Sequence, residues 1–245
     1  MKYVSRKFVD LIQGATSKWT NWDPTRRITV GDFGIIINET GEFSWEGNIY
    51  DPHFQKKFKS SNYKFDFDLA DPALRPKEQE GDDLYIVKSW GVTAKAINES
   101  PEAGVQSAMN VLEVDLQFVG YNRAAVLVMY KPRYSSLPND ERIVRLLESM
   151  PDVLKGKYIV TEVISCAAYI MHLSDKKAEK FSVTLKATEP VLPAVAAGRT
   201  VDFTWSSEAK SGFTRHGSDP TYNYMPLYRL KKFRSKFWEW PFEQR

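Results

Sequence analysis

The sequence predicts an α+β fold: a twisted antiparallel sheet with peripheral helices, in one domain spanning residues 1–245. Two observations carry this reading. Alternating or apolar runs dominate the middle of the chain: Leu84–Ile97 (LYIVKSWGVTAKAI), Val111–Val119 (VLEVDLQFV), Tyr158–Met171 (YIVTEVISCAAYIM) and Phe181–Ala187 (FSVTLKA). Helical periodicity is confined to residues 3–12 and to a segment after Asn139–Asp140. Strands and helices that are segregated rather than alternating point to an antiparallel sheet flanked by helices. The 42% hydrophobic and 27% charged content is that of an ordinary globular chain.

Taken in order, residues 1–14 read as a basic amphipathic helix. Val4, Phe8, Leu11 and Ile12 share one face, Lys2, Arg6, Lys7 and Gln13 the other, and Gly14 is the expected stop. Ile28–Ile37 and Phe43–Tyr50 form a strand pair around the turn-prone residues 38–42. Asp71–Asp83, with two prolines, reads as a charged loop. Residues 84–119 form a first hairpin region with its tip at 98–104. Ala124–Tyr130 is a strand buried on both faces. Asn139 or Asp140 caps a helix with Ile143, Val144, Leu147 and Met150 inward, which Pro151 ends. Residues 156–187 form a second hairpin region with its tip at 174–180. Thr200–Trp205 and Tyr222–Arg229 are late strands separated by a loop at 206–220, and 226–245 is a basic, aromatic tail.

The leading run of each hairpin region has about 14 residues. An ordinary strand has five or six, and a tilted strand needs about 9–11 to cross a bilayer. A strand in a membrane barrel also needs one uncharged face. Leu112, Val114, Leu116 and Phe118 provide one, with Glu113, Asp115 and Gln117 opposite. Ile159, Val163, Ala167 and Met171 lie on a second, and Phe181, Val183 and Leu185 on a third. The first run fits less well, because Lys88 and Lys95 fall on opposite faces of a continuous strand.

Catalytic equipment is missing. There is no Gly-rich phosphate loop, no G-x-S-x-G elbow and no H-E-x-x-H. His53, His172 and His216 lack ligand-like spacing, so neither a metal nor another cofactor is expected. Cys166, inside an apolar run, reads as a buried structural thiol. Enzyme activity on a small-molecule substrate is therefore not expected. No apolar stretch is long enough for a membrane-spanning helix, and the N-terminus is too broken for a signal peptide. A single cysteine suits the reducing cytoplasm.

Charge is uneven. Residues 1–30 hold six cations against Asp10 and Asp23, and residues 226–245 six against Glu239 and Glu243; at a net +3 the middle is acidic. Two basic ends suggest a polyanionic partner, a membrane or nucleic acid. Lys2, Arg6 and Lys7 form one cationic group. Arg229, Lys231, Lys232, Arg234 and Lys236, interleaved with Leu230 and Phe233, form the other. The tail suits membrane docking, a partner surface, base stacking with cationic contacts, or packing on the domain. Phe43 and Trp45 suit an interfacial aromatic anchor or an ordinary core.

Three motif groups resemble one family. Phe8-Val9 on a basic first helix, then Gly34-Ile35-Ile36-Ile37 leading to Phe43-Ser44-Trp45-Glu46, resembles the start of the gasdermin pore-forming domain. Gly156-Lys157-Tyr158-Ile159-Val160-Thr161-Glu162-Val163 is similar to the strand that opens its second membrane hairpin. Gly198-Arg199-Thr200-Val201 and Pro226-Leu227-Tyr228-Arg229-Leu230 resemble its close. Order and spacing fit over roughly residues 1–234, and the fungal regulator-of-cell-death proteins of allorecognition are the nearest in pattern. The resemblance implies a protein that is cytoplasmic at rest and binds acidic phospholipid at the cell membrane. It implies self-assembly, conversion of two hairpin regions into transmembrane β-hairpins, and lysis. With no C-terminal repressor domain expected after Arg245, an incompatible allelic gasdermin-like partner rather than proteolysis is the expected trigger. A peripheral membrane module that never inserts and a nucleic-acid binder are the alternatives.

Overall fold

The computed structural model describes residues 2–59, 68–97, 110–119, 123–175, 180–187, 203–207, 211–219 and 224–232. Helix α1 (Lys2–Thr16) leads into strands β1 (Trp19–Thr20), β2 (Asp32–Ile36) and β3 (Phe43–Asn48), then helix α2 (Pro52–Lys59). A 3₁₀ turn at Pro72–Leu74 precedes β4 (Lys77–Glu80), β5 (Leu84–Lys88), β6 (Val92–Ile97), β7 (Asn110–Phe118) and β8 (Ala125–Ser136). Helices α3 (Glu141–Glu148) and α4 (Pro151–Leu154) follow. The order closes with β9 (Tyr158–Leu173), β10 (Lys180–Ala187), β11 (Phe203–Ser207), β12 (Phe213–Ser218) and β13 (Tyr224–Lys232). The arrangement is mostly antiparallel sheet with few helices, an α+β fold as expected.

The described strands form two sheets. In the large sheet β9 is the spine. One edge pairs with β8 from Ala125↔Leu173 to Ser136↔Glu162, then with β2 at Phe33↔Ile159. The other edge pairs with β12 and then β13. The small sheet has the order β11-β10-β7-β6, all antiparallel.

Burial follows from this layering. One half of the spine is covered on one face by the small sheet, through Val114, Leu116, Phe118, Val183 and Leu185 against Val126, Val128, Tyr130, Ala168 and Ile170. Its other face is covered by α1, through Phe8 and Ile12 against Val87, Leu127, Met129 and Met171. At the far end α3 and α4 cover Phe33 and Ile159. Strand β8 is buried throughout Ala125–Tyr130, as its unbroken apolar run requires.

Several expectations need correction. The run 84–97 is not one strand: Ser89–Gly91 breaks it, leaving β5 in the large sheet and β6 in the small one. Gly91 sits at φ 85°, a left-handed conformation that glycine adopts without strain. The second hairpin is also different. Strand β10 pairs with β7 and β11, while β9 lies in the other sheet. Helix α1 runs through Gly14 to Thr16 and ends at Ser17, which has φ 58°. The expected loops at 71–83 and 206–220 contain β4 and β12, edge strands bound to β8 and β9. The cap at Asp140 stands, its side chain accepting from the Arg142 N–H, and Leu146 rather than Val144 is buried on α3.

Candidate functional site

The small sheet is amphipathic by strand alternation alone. In β7, Val114, Leu116 and Phe118 are buried while Asp115 is exposed. In β10, Val183 and Leu185 are buried and Lys186 exposed; Val92 on β6 and Trp205 on β11 continue the inner face. Register aligns these positions: Val92↔Phe118, Val114↔Val183, Leu116↔Phe181 and Leu185↔Trp205. By the same register Leu112 opposes Leu185; the side chains of Leu112 and Phe181 lie outside the described residues. The outer side carries Thr93, Lys95, Glu113, Asp115, Thr184 and Lys186, with the Ser182 hydroxyl donating to Asp115. Two faces read separately from the sequence therefore form one continuous surface.

Among the described residues, no ladder hydrogen bond joins this sheet to the large one. Ties among the described residues include the backbone at Ser89–Gly91, the Phe118 ring edge-on to His172, and the Trp205 indole, whose N–H donates to the Gly217 carbonyl at 3.1 Å. Apolar packing holds the rest. Seven buried side chains, Val92, Val114, Leu116, Phe118, Val183, Leu185 and Trp205, meet the body. At about 1.5–3 kcal/mol each in water, their contact amounts to roughly 10–20 kcal/mol. That is comparable to the whole stability of a typical domain, so the sheets stay together in water.

The second expected face, on β9, does not hold together. Ile159 packs beneath α3 and α4, Val163 packs with Ile28 and Tyr228, and Met171 packs beneath α1. Ala167 is buried as well, at 3% exposure. The reason is a reversal of alternation: Ile164 and Cys166 share a cluster with Tyr169 and Met171, while Ala168 and Ile170 face the small sheet. Opposite this point, Lys131 on β8 has φ 49°. Burial pushes the Cys166 thiol pKa up, consistent with an inert core residue.

The cationic residues divide. Lys7 is exposed on α1. Arg6 pairs with Asp10 at 2.9 Å and donates to the Asn38 carbonyl at 2.8 Å, tying α1 to the β2–β3 turn. On β13, Arg229 and Lys232 are exposed, with the Lys232 ammonium 5.6 Å from the Tyr158 ring centroid. Burial, and secondarily the charge of Arg229, lower the Lys231 pKa to about 8. The side chain of Lys2, and Arg234 and Lys236, lie outside the described residues. Phe43 is a core residue, packed on Tyr228 at a centroid distance of 6.0 Å, and not an exposed anchor. Trp45 is 52% exposed, with its indole N–H donating to Asp32 at 2.9 Å.

One contact had no sequence signal. Lys18, just beyond α1, makes a 3.0 Å ion pair with Glu162 on the spine. Its ammonium sits 5.9 and 5.8 Å from the Tyr85 and Tyr134 ring centroids. This nearly buried cation fastens the end of the basic helix to β9. The three partners come from separate elements, and only the tertiary fold brings them together.

No helix is long and apolar enough to cross a membrane among the described residues, which says nothing of strands. No family model matches the chain, and no curated protein matches it. Among solved structures it is similar to a chain of the cryo-EM structure of the gasdermin A3 membrane pore. That likeness has a TM-score of 0.22 and 12% identity, and covers 75% of this chain and 74% of the other. At those values it stands as a similarity alone.

Proposed function

We propose that this protein is a membrane-permeabilising effector that binds acidic phospholipid, assembles with further copies, and inserts strands of its small sheet into the bilayer. The observation that carries this reading is the small sheet itself: one apolar face, one polar face and, among the described residues, no ladder to the body. Lipid tails offer the apolar face the same relief from water as β8 and β9 do. A bilayer, unlike water, therefore offsets the cost of separation. Strand β7 has nine residues and β10 eight, close to the length a tilted strand needs. The motif resemblance to gasdermins noted in the sequence supports the same reading.

In this scheme β6–β7 and β10–β11 are the inserting hairpins. Strand β9, laddered on both edges, stays with the body. A closed ring of copies is required, because an open sheet edge in lipid leaves backbone groups unsatisfied. First contact falls to the exposed cations Lys7, Arg229 and Lys232, with Lys2, Arg234 and Lys236 adding to them. Each contributes about 1 kcal/mol near an anionic surface, and assembly multiplies weak single-copy binding. Regulation by an allelic partner, as in fungal allorecognition, completes the proposal.

The test is release of a trapped dye from vesicles with and without phosphatidylserine. Release confined to the acidic vesicles supports the reading. Binding to them without release, with or without an added allelic partner, overturns it in favour of a peripheral module.

A further inference from the structure

We propose that the Ser89–Gly91 turn is a membrane-docking tip, with the Trp90 indole entering the headgroup region of an acidic bilayer and Val119 beside it. The inference rests on the membrane reading above and adds a site to it. Trp90 is 99% exposed, the most exposed large hydrophobic side chain among the described residues, and Val119 is 58% exposed.

The turn holds the ring out. Ser89 is buried; its N–H donates to the Ala125 carbonyl at 2.9 Å, and its hydroxyl accepts from the Ala125 N–H at 2.8 Å. On the other side the Val119 N–H donates to the Gly91 carbonyl at 2.8 Å. The backbone is thus fixed to β8 before Trp90 and to the end of β7 after it. The indole stays in solvent as long as these bonds hold.

Two features select a lipid surface as the occupant. Lys88, adjacent in sequence and exposed, makes no ion pair with any described residue, so its charge is available to an acidic headgroup. The apolar area is that of one tryptophan and one valine, far below the roughly 1,000 Å² a specific protein interface needs. A single amphipathic indole is, by contrast, a sufficient unit for the bilayer interface, where tryptophan is enriched.

The test uses the full chain and phosphatidylcholine vesicles containing phosphatidylserine. Trp90→Ala should weaken partitioning about tenfold, equivalent to about 1.4 kcal/mol, with an unchanged urea midpoint because the ring makes no core contact. Trp90→Phe should keep most of the binding. Quenching of tryptophan fluorescence by brominated lipids should fall in Trp90→Ala. Raised salt should erase the effect of Lys7→Glu but not that of Trp90→Ala, since only the former is screened. Unchanged partitioning of Trp90→Ala alongside weakened Lys7→Glu overturns the tip and leaves the membrane reading intact. A wild-type chain that ignores acidic vesicles overturns both. A change in solution mass with unchanged partitioning reassigns Trp90 to contact between copies and overturns the tip.

Discussion

Removing methyl groups from the body side of the contact between the sheets should speed membrane permeabilisation while lowering stability. Val128 on β8 is fully buried in the cluster that receives Val114, Leu116, Phe118, Val183 and Leu185. Val128→Ala deletes two methyl groups, worth about 1.6 kcal/mol of transfer, and leaves a cavity that adds to the loss at about 24 cal/mol per Å³. A total of about 2–3 kcal/mol is expected. If separation of the sheets limits insertion, a 2 kcal/mol weaker contact raises the rate by up to roughly 30-fold. Val183→Ala, on the small-sheet side, should lose similar stability but gain little rate. Its methyls are apolar contacts both in the core and in lipid, so their loss affects both states. Urea denaturation gives the stabilities, and dye release from acidic vesicles gives the rates. Equal rates for the two variants at equal destabilisation would refute separation as the limiting step.

Three further outcomes follow from the geometry. Lys18→Met should destabilise by about 3–5 kcal/mol, the usual cost of leaving a buried partner uncompensated, and Lys18→Met with Glu162→Gln should cost less than the sum of the two singles; additive urea-denaturation values would contradict the pair. Lys231 has a folded pKa lowered from 10.5 to about 8, so the unfolded chain binds more protons between those values. Stability should therefore rise with pH across that window while the cationic contribution of Lys231 to vesicle binding falls, and an NMR titration of its ammonium near 10.5 would contradict this. Hydrogen bonds from the Arg142 side chain and backbone lower the Asp140 pKa from 3.8 to about 2. Its capping contribution, present above the unfolded value, should be lost as pH falls from about 4 to 2, and an Asp140→Asn variant with the same acid transition as wild type would contradict it.

Sequence periodicity made the β7 and β10 faces legible, because each alternates cleanly and both turned out to line one surface. It was silent on pairing. The partner of β10 is chosen by contacts between distant segments, and the spine β9 carries apolar residues at both parities, which hides any single face. The break at Ser89–Gly91 did leave a trace. Lys88 and Lys95 are an odd number of residues apart, so a continuous strand would bury one of them. The left-handed Gly91 removes that conflict, and both lysines are exposed. Phe43 and Trp45 share parity on β3, and no local pattern shows that one is core and the other half exposed. On the basic helix the sequence pattern shows Phe8 and Ile12 as inward, but not the equally buried Val9, the helix end or the Lys18–Glu162 fastening. Gly14 is tolerated because the packing of Phe8 and Ile12 outweighs the roughly 1 kcal/mol that an interior glycine costs.

The most direct measurement locks the small sheet to the body. A cysteine pair placed between β11 of the small sheet and β12 of the large one, where the Trp205 indole reaches the Gly217 carbonyl, at Cα positions within disulfide reach and in a Cys166→Ser background, would be compared oxidised and reduced on acidic vesicles. The expected result is that the oxidised protein binds the vesicles but releases no dye, and that reduction restores release. Equal release from both forms would contradict insertion of the small sheet.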